Sequence, residues 1–333
     1  MADMEYRRIG TSGLKVSAIS IGAWLTYGSD AMAFEASKNC IRAAIESGIN
    51  FIDCADAYAR GGAEKAVGEI VKDYDRQKLV ISTKCYWPQS DDVNDRGLSR
   101  KHIFESVEKS LRNFDMDYVD IFFCHRYDKE TPTDETVRAI EDLIRQGKIL
   151  YWGTSMWLGS QIEEAVAAAD KYNAYRPVVE QPQYNMLDRE LVEGDLEQVL
   201  DKFAIGAVVW SPLAQGLLTG KYDDGVPPDS RGAAKSNWDN FSDDRIAKAR
   251  EISQLAREYG YEPSALALAW AMAHPNVDSV ITGATKPSHI ESNLKALDIT
   301  LSAELEHKIE KVLKNRPHDS QRSIITPDET AAL

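Results

Sequence analysis

The sequence predicts a (β/α)8 TIM barrel, preceded by a β-hairpin and extended by one C-terminal helix. Short β-branched runs alternate with amphipathic helical stretches from one end of the chain to the other. Eight such runs fit into 333 residues. No Gly-x-Gly-x-x-Gly follows the first of them, as an open dinucleotide-binding sheet would require. Strict alternation of strand and helix implies a parallel sheet, and eight units favour closure into a barrel over an open, doubly wound sheet.

Residues 6–16, with Thr11-Ser12-Gly13 as a turn, read as a hairpin. Barrel strands are expected at 18–22, 50–53, 79–84, 119–124, 151–155, 178–181, 207–210 and 279–282. Phe34, Ile41, Ala44 and Ile45 form a helical stripe that Gly48 closes. Ile103, Val107, Leu111 and Phe114 form another, with Ser99 placed as its N-cap. Val137, Ile140 and Ile144 end at Gly147 in the same way. Further stripes are Ile162, Ala165, Ala169 and Tyr172, then Leu266, Trp270 and Ala273, then Ile290, Leu294 and Leu297. The additional helix is expected at about 303–314. Residues 214–240, rich in Gly, Pro, Asp and Ser, read as a long loop, a feature often functional in compact domains. The tail from Arg316 reads as irregular. No linker-like stretch divides the chain, so residues 1–333 are expected to form one domain.

Composition narrows the function classes. Lys plus Arg number 39 against 53 Asp plus Glu, a formal charge of -14. So acidic a surface repels nucleic acid and anionic membranes. The start of the sequence lacks the basic and apolar regions of a signal peptide, and no apolar run approaches the ~20 residues that span a bilayer. Cys40, Cys54, Cys85 and Cys124 are too few and scattered for a disulfide framework. A cytoplasmic protein with free thiols and no membrane insertion is expected.

In such barrels reactive residues gather where strands end and βα loops begin. Asp53 closes the second strand, Tyr58 follows five residues later, Lys84 closes the third strand and His125 the fourth. Reducing a carbonyl needs a hydride and a proton. A free phenol is a weak acid at neutral pH, and an ammonium beside it favours the phenolate. Lowering it by about three units takes roughly 4 kcal/mol, within reach of one desolvated charge contact. On this reading Asp53 holds Lys84, Lys84 acidifies Tyr58, and His125 orients the carbonyl oxygen. Each residue alone also has an ordinary explanation: an ion pair, a loop aromatic, a strand-end histidine. Cys54, Cys85 and Cys124 beside them raise a Cys3His zinc site. Alternation along a strand instead turns the thiols towards the helices when Asp53, Lys84 and His125 face the mouth, so no metal is expected.

The segments Gly48-Ile-Asn-Phe-Ile-Asp-Cys-Ala-Asp-Ala-Tyr58, Ile81-Ser-Thr-Lys84 and His125 resemble the signature of the aldo-keto reductases. The resemblance extends over nearly the whole chain, through Tyr151-Trp-Gly-Thr-Ser155 and Trp210-Ser-Pro-Leu213. It is nearest to the branch containing β-subunits of voltage-gated potassium channels. It implies an NADPH-dependent oxidoreductase with Asp53, Tyr58, Lys84 and His125 as the catalytic tetrad and Tyr58 as proton donor. It also implies nicotinamide contacts at Ser155, Gln181 and Trp210, further cofactor contacts at Trp24 and Asp53, and a pyrophosphate-side segment of Ser211, Pro212, Leu213 and Gly216. Phosphate contacts fall to Lys221 and Arg231 in the long loop. The adenosine-phosphate end falls to Gly283, Thr285, Lys286, His289 and Asn293, where a lysine favours NADPH over NADH. Trp24, Tyr86, Trp87, Met156 and Trp157 would wall a pocket for a small-molecule aldehyde or ketone. Relatives in the branch self-associate, which implies a homo-oligomer.

Three departures stand out. The channel subunits usually carry Asn where this chain has His125, Met156 replaces an Arg common in that branch, and Ser292 replaces a Glu that contacts the adenine in many relatives. The competing reading is an accessory subunit that docks on a channel and senses redox state through its cofactor; His125 favours turnover. A glycoside-cleaving barrel needs two carboxylates at catalytic separation, and Asp53 beside a lysine does not suit that role.

Overall fold

The computed structural model describes residues 3–24, 27–28, 33–228, 230, 233 and 240–317. An antiparallel hairpin, β1 (Tyr6–Arg8) and β2 (Lys15–Ser17), opens the chain. Eight strands follow: β3 (Ile19–Gly22), β4 (Phe51–Asp53), β5 (Val80–Cys85), β6 (Val119–Cys124), β7 (Ile149–Thr154), β8 (Val179–Glu180), β9 (Gly206–Trp210) and β10 (Val277–Thr282). They pair in parallel and close into a barrel, β10 against β3. The TIM-barrel expectation holds, and each strand lies within about two residues of its expected place.

Ten helices surround the strands among the described residues: α1 (Phe34–Glu46), α2 (Gly62–Val71), α3 (Arg100–Phe114), α4 (Thr133–Arg145), α5 (Gly159–Tyr172), α6 (Glu197–Phe203), α7 (Asp243–Glu258), α8 (Pro263–Met272), α9 (Pro287–Leu294) and α10 (Ala303–Leu313). Ser99 caps α3 by accepting from the His102 amide, as its position suggested. Gly48 and Gly147 follow α1 and α4 with φ of 89° and 72°, conformations that favour glycine. The stripes read from the sequence did not include α2, α6 or α7. In α2, GAEKAVGEIV, small side chains stand where a large apolar stripe would have announced a helix. Gly68 there lets α2 press onto α3, for a Cβ on it would lie 2.3 Å from the Phe114 carbonyl oxygen. A π-helical turn at Leu191–Leu196 leads into α6 and breaks the 3.6-residue period.

Alternation along the strands makes two apolar regions. Phe51, Val80, Ile121, Phe123, Val179, Val208 and Ile281 fill the barrel interior with the hairpin's Ile9 and Val16. Ile52, Ile81, Phe122 and Trp152 belong to the outer layer with Ile41, Val67, Val107, Ile140 and Ile162 of the helices. The hairpin closes the end where the strands begin. The Gly10 amide donates to Asp278 (2.9 Å), Arg7 donates to the Met272 and Val277 carbonyls, and Ser17 and Asn50 exchange hydrogen bonds. Gly206 makes the approach possible, since a Cβ on it would sit 2.5 Å from the Gly10 nitrogen. At the other edge α10 is fastened by buried Arg189, which bonds both Glu193 oxygens and Glu310 at 2.8 Å.

Candidate active site

Because β4 and β5 pair in parallel with Asp53 beside Ser82, the ends of neighbouring strands deliver their last inward side chains to one mouth. Lys84 is fully buried there. Its Nζ lies 2.7 Å from both Asp53 carboxylate oxygens, 2.7 Å from the Cys54 carbonyl and 3.3 Å from the Tyr58 hydroxyl. The carboxylate of Asp53 also accepts from Ser82 Oγ (2.8 Å) and Gln181 Nε2 (2.9 Å). A buried ion pair is tolerable only when its remaining lone pairs and protons are satisfied, and these bonds do so. Tyr58 begins a short 3-10 turn in which Ala59, Arg60 and Gly61 all have positive φ (48°, 52° and 86°). Two non-glycine residues in that region mark a backbone held in place by its surroundings. The Tyr58 ring meets the His125 ring edge-on at 6.0 Å, and Trp87 stands 6.1 Å from the same imidazole.

The electrostatics correct one expectation. Burial above all, with the Asp53 carboxylate and the Cys54 thiol beside it, pushes the Tyr58 phenol well above its ordinary value, although Arg126 pulls it down. The ammonium at 3.3 Å does not reverse this, because its charge is already cancelled by Asp53 at closer range. The phenol is therefore kept protonated, not acidified in advance. Burial, Lys84 and Arg126 hold His125 well below the usual histidine range, so its imidazole is neutral near pH 7. Its Nδ1 is buried and has no hydrogen-bond partner among the described residues.

Cys54, Cys85 and Cys124 are buried in the outer layer, opposite in face to Asp53 and Lys84. Burial pushes all three thiols up, so none is a thiolate ready for a metal. Among the described residues no group of three His, Cys, Asp or Glu is placed to hold a metal ion.

Round the mouth, Ser155 Oγ donates to the Gln181 carbonyl at 2.9 Å, and Trp24 meets Trp210 edge-on at 6.3 Å. After β9, Ser211 (φ 55°), Gln215 and Gly216 turn the backbone through left-handed conformations, with Pro212 and Leu213 between them. The Asn185 amide and the Gln215 N–H fix Ser211. Without a side chain, Gly216 leaves space for Lys221, whose Nζ would come within 2.9 Å of a Cβ there. Lys221 and Lys286 both depress His289, after burial, so the three bases share one neighbourhood. Among the described residues neither lysine has an ion-pair partner. Lys286 precedes the N-terminus of α9, where Thr285 contacts His289 Nδ1 at 3.4 Å; Gly283 is exposed and Asn293 buried close by. Ser292 donates to Glu262, which also accepts from Lys295. Arg231 lies outside the described residues.

Of the expected pocket wall, Trp24 and Trp87 are exposed, Tyr86 packs edge-on to Trp87 at 5.2 Å, and half-buried Met156 accepts the Gln183 amide at its sulfur. Trp157 departs from the expectation. It is 1% exposed and lies against Tyr127 at 4.9 Å, so it backs the wall without lining it. Its position just past a strand end looked right, but the outward face of that position is core. Sequence reasoning passed over Ser82 and Arg126, both signalled by spacing: Ser82 shares the inward face with Lys84 two residues on, and Arg126 directly follows His125. It also missed Glu180, which accepts from Thr154 and from the Trp157 amide; burial pushes its carboxyl up to about 8.

Comparison with known proteins agrees with this architecture. A probable voltage-gated potassium channel subunit beta of Arabidopsis thaliana is 44% identical over 324 residues, covering 94% of this chain and 98% of that protein. A protein of the same description from Oryza sativa subsp. japonica has the same identity and coverage. A putative subunit beta of Schizosaccharomyces pombe is 42% identical over 330 residues, 96% of each. The sequence profile of the aldo/keto reductase family matches residues 18–314, most of the barrel, and the chain belongs to that family.

Proposed function

We propose that this protein is an NADPH-dependent aldo-keto reductase that converts aldehydes or ketones to alcohols, with Tyr58 as proton donor. Membership of the family supports oxidoreductase chemistry and a nicotinamide cofactor in general. The single observation that carries the finer reading is Lys84, which joins Asp53 to the Tyr58 hydroxyl at a barrel mouth beside a neutral imidazole. The residues present fit the cofactor. Lys221, Lys286 and His289 gather basic groups that have no ion-pair partner among the described residues, as a phosphate end needs. Gln181 commits its amide nitrogen to Asp53 and keeps its oxygen free to accept from a carboxamide. When bound, dihydronicotinamide supplies the hydride.

The chain's own side chains do the rest. Neutral His125 donates a hydrogen bond to the carbonyl oxygen and fixes its direction. Tyr58 holds its proton until negative charge develops on that oxygen, then gives it up. Lys84, whose Nζ already lies 3.3 Å from that hydroxyl, donates a hydrogen bond to the phenolate that remains.

Reduction is tested by the loss of NADPH absorbance with a panel of aldehydes, and NADPH binding by fluorescence. Tyr58→Phe should remove most turnover and leave NADPH binding nearly intact; near-normal turnover would place the proton donor elsewhere. A second reading follows from the relatives' descriptions: a channel-associated subunit that uses its cofactor as a redox sensor. Tight NADPH binding without turnover of any aldehyde would favour it.

A further inference from the structure

We infer that Arg126 is an anion-recognition residue at the mouth and that it selects carbonyl compounds bearing a carboxylate. This rests on the reductase reading and narrows its substrate class. Arg126 follows His125 directly. Its Nη1 donates to the His125 carbonyl and stands 3.5 Å from Ser155 Oγ. Its guanidinium carbon lies 5.5 Å from the centre of the Trp87 ring, and that ring stands 6.1 Å from His125. Both Tyr58 and His125 feel its charge. The cation therefore borders the place where a carbonyl would meet the phenol and the imidazole.

What it lacks, among the described residues, is an acid. The other inward-leaning arginines have one: Arg76 pairs with Asp120, Arg189 with Glu193 and Glu310, and Arg245 with Asp188, all at 2.6–2.8 Å. Arg126 is half-buried, yet among the described residues no carboxylate lies within ion-pair distance, and its Nε and Nη2 make no hydrogen bond. Glu180 lies near it but is engaged by Thr154 and the Trp157 amide and keeps its proton up to about 8. In a chain of formal charge -14, Arg126 thus differs from Arg76, Arg189 and Arg245 in having no acidic partner among the described residues. The planar guanidinium suits two parallel bonds to a carboxylate. Trp87, 40% exposed beside it, offers a face for an aromatic or short carbon spacer between carboxylate and carbonyl.

The test uses 2-, 3- and 4-carboxybenzaldehyde and their methyl esters with NADPH, comparing kcat/KM for acid and ester. The wild type should prefer at least one acid over its ester by about tenfold or more. In Arg126→Met that ratio should fall by about 10- to 100-fold, the range of a hydrogen bond to a charged group, and Arg126→Lys should retain part of it. Acids no better than esters in the wild type, or a preference unchanged in Arg126→Met, would overturn the inference. Calorimetric binding of benzoate against benzamide, in the presence of NADP, separates the two readings. If no aldehyde is reduced, the reductase reading fails. Benzoate binding that is lost in Arg126→Met still upholds the anion site, and no preference for benzoate removes it.

Discussion

Lys84 holds its ammonium 2.7 Å from each carboxylate oxygen of Asp53, and both side chains are sealed from solvent. Breaking such a pair from one side strands the other charge, at a cost of about 3–5 kcal/mol. Asp53→Asn and Lys84→Met should each destabilise the protein by that order in urea denaturation. The double variant should be more stable than the sum of the two losses implies. Strictly additive losses would mean the pair is not coupled in the folded protein.

The neutral burial of His125 gives a pH dependence of known sign. The unfolded chain takes up a proton at this imidazole near pH 6.5, whereas the native state refuses it until well below. Its contribution to stability is therefore complete above about pH 6.5 and is lost as pH falls towards the native value, by up to about 1.4 kcal/mol per pH unit. His125→Asn should flatten the loss between about pH 6.5 and 5. His102, also depressed by burial, leaves a residual slope.

Glu180 runs in the opposite sense. Its carboxyl keeps a proton up to about 8 in the native state, while the unfolded chain loses it near pH 4.3. The stability it contributes is complete below the unfolded value and disappears as pH rises through about 8. Glu180→Gln, measured by urea denaturation at about pH 5 and pH 8, should gain relative to wild type at the higher pH, on the order of a few kcal/mol. An equal difference at both values would mean that Glu180 is ionised throughout.

Gly68 sits where α2 crosses α3, and a methyl group on it would lie 2.3–2.7 Å from Phe114 backbone atoms. Gly68→Ala should therefore destabilise by about 1–3 kcal/mol, as overpacking does, despite alanine's better helix propensity. Thermal denaturation checks it, and a higher Tm would contradict the close helix approach.

Beside Lys221 and His289, Lys286→Ala should weaken NADPH binding more than NADH binding. One charge-assisted contact to a 2′-phosphate predicts a loss of about tenfold or more for NADPH alone. Equal effects on both cofactors would remove that assignment.

The barrel was legible because alternation and period are written into every strand and most helices, from residues 18–22 to 279–282. What was not legible depended on shape. The helix α2 is specified by small residues that fit against Phe114, which no periodicity records. The placement of Asp53, Tyr58, Lys84 and His125 at one mouth followed from strand-end positions. The protonation of Tyr58 did not, because it depends above all on how deeply the phenol is buried, and then on the Asp53 carboxylate beside it. Trp157 had the right address and the wrong face. Arg126 had a visible address, directly after His125, but that no acid among the described residues pairs with it depends on three-dimensional neighbours that a sequence does not show.

The hairpin that carries Ile9 and Val16 stoppers the floor of the barrel. Side chains fill the interior above it, so the barrel is a solid column and whatever reaches the chemistry arrives and leaves from one side.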